Sequence, residues 1–74
     1  MSRLIRMDRT GHTTLAEWTA TDDAAVEAAA AAFREQLEEG YYAVVTEGEG
    51  KAEQVTELPA DAELVILRRP IAGG

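Results

Sequence analysis

Glu63-Leu64-Val65-Ile66-Leu67-Arg68-Arg69-Pro70 carries more architectural information than any other part of this chain of 74 residues. Leu64, Val65, Ile66 and Leu67 show no polar alternation, so a strand made of them is apolar on both sides. Such a strand belongs in the middle of a sheet, with at least part of each face covered. Pro70 has no N–H to give to a ladder and ends it, which predicts a strand over 63–69. Immediately upstream, Pro59-Ala60-Asp61-Ala62 reads as a turn. The segment 51–58 has only Ala52, Val55 and Leu58 as apolar residues and predicts an edge strand. Residues 41–46 are aromatic and β-branched and predict a further strand. The turn sequence Glu47-Gly48-Glu49-Gly50 follows it.

Further toward the N-terminus the period changes from two to between three and four. Val26, Ala30, Phe33 and Leu37 draw one apolar stripe and predict a helix over 22–39. Thr21 is placed to cap it, Asp22 and Asp23 suit the positive end of its dipole, and Gly40 is a natural stop. Glu38 and Glu39 fall at the unfavourable end of that dipole. The Ala-rich centre allows close approach to a sheet. Residues 3–9 alternate loosely, with Ile5 and Met7 on one side and Arg6 and Asp8 on the other, and predict a half-buried strand. With a turn at Thr10-Gly11, Arg9 pairs with His12, Met7 with Thr14 and Ile5 with Ala16, and Trp18 extends the same face. The helix is then expected to pack Val26, Phe33 and Leu37 against Ile5 or Met7 and part of the last strand.

Strand, strand, helix and three strands make an α+β domain with one helix for one sheet. The economical arrangement sets the most apolar strand centrally, parallel to the first. That is the β-grasp (ubiquitin-like) layout, ββαβββ, with a mixed sheet and one packed helix. An α+β sheet in a different order, without the parallel pair, is the alternative. Residues 1–69 are expected to form this single small domain and residues 70–74 a flexible C-terminal tail, since compact domains rarely divide below ~100 residues.

Apolar residues make up 46% of the chain, which suits a folded protein. There is no Cys, so disulfides, thiolate metal sites and thiol nucleophiles are excluded. No apolar run approaches the ~20 residues of a membrane helix, and no signal-peptide block follows Met1, so a cytoplasmic protein without membrane partners is expected. The net charge of −7 repels phosphate backbones and argues against nucleic acid. The charge is unevenly placed: residues 1–16 sum to +2, residues 17–63 to −11 and residues 64–74 to +2. If the first and last strands are neighbours, Arg3, Arg6, Arg9, Arg68 and Arg69 share one region of an otherwise acidic surface. Solvated charge selected for solubility and a bipolar surface that orients a partner are the two readings of this pattern.

Catalytic chemistry is hard to assemble from these residues. His12 is the one histidine, expected exposed at a hairpin turn with no second ligand or nucleophile beside it. No spacing holds two carboxylates as an acid–base pair. Gly48-Glu49-Gly50 precedes a strand instead of opening a helix and lacks the context of a phosphate loop. No enzyme, cofactor or metal site is therefore expected. Of Tyr41 and Tyr42, one must point away from the helix, and that one is an interface candidate. After the last strand the chain runs Arg68-Arg69-Pro70-Ile71-Ala72-Gly73-Gly74. Two glycines have no side chains to block a narrow channel, and they adopt whatever dihedrals a partner site demands.

Leu58-Pro59-Ala60-Asp61-Ala62-Glu63-Leu64-Val65-Ile66-Leu67 and Pro70-Ile71-Ala72-Gly73-Gly74 resemble the C-terminal end of the ubiquitin-like sulfur carriers of molybdopterin and thiamine synthesis. Those proteins share the acidic turn, the apolar last strand and a tail of the Pro-Val-Ala-Gly-Gly kind. Leu64 to Arg68 is also similar to the last strand and basic tail of ubiquitin. The resemblance covers about seventeen residues and otherwise extends only to element order. Arg6 and Asp8 depart from it, since these carriers are more apolar in the first strand. It implies a carrier or modifier whose terminal glycine is activated by an ATP-dependent enzyme. Gly74 is then the reacting residue and Gly73 its slender neighbour, with Arg68, Arg69 and Ile71 in partner docking. The competing expectation is a non-catalytic structural or interaction protein, such as a small accessory or phage-type assembly component. It would bind through the Arg-rich region or a free sheet edge.

Overall fold

A computed structural model of the protein describes residues 1–8, 11–46 and 52–69. The elements are β1 (Ser2–Asp8), β2 (Gly11–Trp18), α1 (Asp23–Glu38), β3 (Tyr42–Thr46), β4 (Ala52–Val55) and β5 (Leu64–Arg68). The five strands form one sheet in the order β2-β1-β5-β3-β4. β5 runs parallel to β1 and antiparallel to β3, and both hairpin pairs, β1 with β2 and β3 with β4, are antiparallel. The continuously apolar strand is therefore the middle one, where its sequence requires it to be. Val65 and Leu67 are fully buried, while Leu64 and Ile66 on the opposite side are half-buried. This is the β-grasp topology of ubiquitin-like domains, an α+β fold with a mixed sheet and one packed helix.

Helix α1 begins one residue later than the stripe suggested, and Asp22, not Thr21, is its cap. Asp22 is extended (φ −97, ψ 93), and its Oδ1 accepts the backbone N–H of Ala25 at 3.1 Å. Its carboxylate also places a full negative charge at the positive end of the dipole, which a Thr hydroxyl cannot do. At the other end Gly40 takes φ +102. The Gly40 N–H donates to the Leu37 carbonyl and the Tyr41 N–H to the Gln36 carbonyl, each at 3.1 Å, the paired bonds of a Schellman cap. The cap lifts Tyr41 out of the helix and points the chain into β3.

The buried core is Leu4, Trp18, Ala29, Phe33, Ala43, Val45, Val65 and Leu67. On the helix it centres on Ala29 and Phe33, with Val26 and Leu37 half-buried at its margins. Ala30, placed by the spacing argument in the stripe, lies at the edge instead. Two fully buried alanines, Ala29 and Ala43, belong to one cluster with Phe33, so small residues on helix and sheet leave room for the large ring. The Trp18 indole N–H donates to the Ala60 carbonyl at 2.9 Å, tying the end of β2 to the turn before β5.

The first hairpin departs from the expected register. Observed partners are Asp8 with Gly11, Met7 with His12 and Ile5 with Thr14. The register then shifts, and Leu4 lies opposite Ala16 and Ser2 opposite Trp18. Leu15 is the extra residue of a β-bulge. The consequence is a change of face: Leu4, not Ile5 or Met7, joins Trp18 under the helix. Leu4 is fully buried, Ile5 is half-buried and Met7 is 39% exposed. Because side chains alternate with period two, a single inserted residue is enough to exchange the two sets. His12 is accordingly an exposed ladder residue of β2 and not part of the turn.

Candidate protein-interaction site

Two surfaces meet where β1 and β5 run side by side. On the face of the sheet away from α1, Ile5 pairs with Ile66 and Ile66 with Val44, which makes one apolar row across three strands. Leu64 lies below that row, and Tyr42 with its partner Arg68 above it. Ile5, Tyr42, Val44, Leu64 and Ile66 are half-buried, yet none belongs to the cluster packed under the helix. Among the described residues a single helix covers one face of the sheet, and these residues form the face that no described element covers. Tyr42 is the outward member of the tyrosine pair, and Tyr41 packs against the core.

The second surface lies at the end of β5, beside the helix C-terminus. Arg6 is the parallel partner of Leu67 and so points to the helix side. Its guanidinium carbon stands 5.8 Å from the centroid of the Tyr41 ring, and that of Arg69 stands 5.6 Å from the same ring. Both fall within the ~6 Å over which a cation is drawn to an aromatic face. Arg6 Nε is 3.8 Å from Asp8 Oδ2, an ion pair too long for a hydrogen bond. That Nε is shielded from solvent and has no hydrogen-bond partner among the described residues.

The four described arginines of the five are therefore not one region. Arg6 and Arg69 converge on Tyr41, and Arg68 lies across the sheet beside Tyr42. Arg3 sits opposite Glu17 and Leu64 at the far end of β1. Parallel alignment fixes the separation: Arg3 and Arg68 are level with residues four apart on β5, roughly 13 Å at the rise of a strand. Arg9 lies outside the described residues. So do Ile71, Gly73 and Gly74, the remaining tail residues singled out in the sequence. Sequence reasoning placed Arg6 in the Arg-rich region and made the outward tyrosine the interface candidate, so it did not foresee Tyr41, on the helix side, as the point where Arg6 and Arg69 converge; the usable signal was that an aromatic residue follows the helix stop directly.

Elsewhere the surface offers little for chemistry. An open groove of about 440 Å³ runs between α1 and the segment after β4, lined by Ala30, Phe33, Arg34, Thr56, Glu57 and Leu58. It presents one cation, one carboxylate and one hydroxyl, those of Arg34, Glu57 and Thr56. Among the described residues no group of three His, Asp or Glu side chains is gathered as metal ligands. No helix among them is long and apolar enough to cross a membrane. Comparison of the chain with family models, with curated proteins and with solved structures gives no match. Its class rests on topology: a small β-grasp domain with an uncovered apolar sheet face and a cationic cluster at the end of its central strand.

Proposed function

We propose that the protein is a non-catalytic ubiquitin-like carrier or modifier that acts through the carboxyl group of Gly74. Gly73 keeps the approach to that group narrow, and Arg68, Arg69 and Ile71 dock the partner. The observation that supports this reading is the position of β5. It is bonded on both sides, to β1 and β3, and its last residue, Arg68, leads within five residues to Gly73. The glycine segment thereby follows in sequence from the central strand of the sheet. In the proposed step the Gly74 carboxylate attacks the α-phosphorus of ATP on an activating enzyme and displaces pyrophosphate. A sulfur or amine nucleophile then displaces AMP from the acyl-adenylate, giving a thiocarboxylate or a conjugate.

The test is mass spectrometry of the intact protein after incubation with ATP and a candidate activating enzyme. An adenylate, thiocarboxylate or conjugate that is lost when Gly73 and Gly74 are deleted supports the reading. Full biological function of the deleted chain overturns it. The second reading, a structural or interaction protein, is favoured by the uncovered Ile5–Ile66–Val44 row. It predicts that the deletion is silent and that Ile66→Arg abolishes partner capture.

A further inference from the structure

We propose that Arg6, Tyr41 and Arg69 form a clamp for carboxylates, through which the domain docks an acidic segment of a partner protein. The starting point is an imbalance. In a chain of net charge −7, two guanidinium groups are held over one phenol ring. Arg69 has no carboxylate within ion-pair distance among the described residues, and Arg6 has only the long contact to Asp8. Two like charges gathered around one ring raise the local positive potential and favour an anion beside them.

A simpler role for the pair would be to cap the C-terminus of α1, where cations are welcome. The cap geometry argues against it. The carbonyls of Glu35, Gln36 and Leu37 already accept backbone N–H groups from Glu39, Gly40 and Tyr41. Glu38 and Glu39 stand outside ion-pair distance of both arginines. The guanidinium groups are therefore not consumed by the helix end.

Their chemistry selects the ligand. A guanidinium that lies flat on a ring face keeps its in-plane N–H donors free for a ligand; in Arg6 these are the terminal Nη groups, because its Nε is shielded from solvent. Those donors match a carboxylate two at a time. Tyr41, packed on the core, gives both groups a common rigid support that lowers the entropy lost on binding. The strongly negative remainder of the chain disfavours a long polyphosphate and leaves a short run of Glu or Asp side chains as the fitting partner. This docking shares Arg69 with the carrier reading but does not rest on it, because it needs no reaction at Gly74.

The experiment uses the full chain labelled with 15N, titrated at low salt with an acetylated tetraglutamate peptide. Tetraglutamine, inorganic phosphate and protein dilution without peptide are the comparisons. The expected result is saturable shifts at the Arg6 and Arg69 Nε–H and at Tyr41, absent with tetraglutamine and weakened by added salt. Arg69→Gln should weaken binding by about tenfold. Arg6→Lys, which keeps the charge but not the fork, should weaken it too. Arg3→Gln and Gly74→Ala should leave it unchanged, the latter separating this site from the carrier reading. Overturning results are no saturable shift, equal binding by Arg69→Gln, displacement by phosphate at equal concentration, or the same shifts produced by protein concentration alone. The last two would reassign the cluster to a simple anion site or to a second copy of the chain.

Discussion

Leu4 and Ile5 are adjacent apolar residues of one strand, and the fold assigns them opposite fates that mutation can separate. Leu4 is fully buried with Trp18, Phe33, Val65 and Leu67, while Ile5 is half-buried in the uncovered row. Truncating a fully buried Leu to Ala costs about 2–5 kcal/mol through lost transfer energy and the cavity left behind. Ile5→Ala exposes no cavity to the core and removes only part of that burial, so about 1–2 kcal/mol is expected. For a domain of this size the total stability is about 4–11 kcal/mol, so the first change removes a large share of it and the second a modest one. Trp18, 2% exposed and the one tryptophan of the chain, reports unfolding by fluorescence. With a urea slope near ~1 kcal/mol/M, Leu4→Ala should lower the midpoint by about 2–5 M or abolish the transition, and Ile5→Ala by about 1–2 M. A larger loss for Ile5→Ala than for Leu4→Ala would refute the bulge at Leu15 and the face assignment built on it.

Two further predictions concern the ends of α1. Asp22→Ala should cost about 0.5–2 kcal/mol by removing the acceptor for the Ala25 N–H, whereas Thr21→Ala should stay within about 0.5 kcal/mol; paired thermal melts decide between the two residues as cap. Gly40→Ala should cost about 1–2 kcal/mol from backbone strain alone, because φ is +102 and a Cβ there meets no atom within 4 Å. If that melt is unchanged, the Schellman geometry at Gly40 is wrong.

The elements themselves were legible in the sequence because each rests on local chemistry. Leu64 to Leu67 without polar interruption could only be a central strand, and the spacing of Val26, Phe33 and Leu37 with Gly40 beyond it could only be a helix with a stop. These two facts made the β-grasp order the economical one and left an α+β sheet without the parallel pair as the alternative, which the pairing of β1 with β5 decides. Which face each residue of β1 presents was not legible: Leu4-Ile5 offers either residue to the core, and the choice depends on the bulge at Leu15 in the opposite strand. The cap at Asp22 was similarly hidden, because Thr21 and Asp22 are both competent and only the backbone angles choose between them. The cluster around Tyr41 required still more. Arg6, Tyr41 and Arg69 are separated by tens of residues, and they meet because β1 and β5 lie parallel while the Schellman cap leads Tyr41 into β3 beside the end of β5. Hydrophobic period and turn chemistry act over a few residues and are written in the chain; register and the convergence of distant charges are set by how whole strands align, and only the folded sheet decides them.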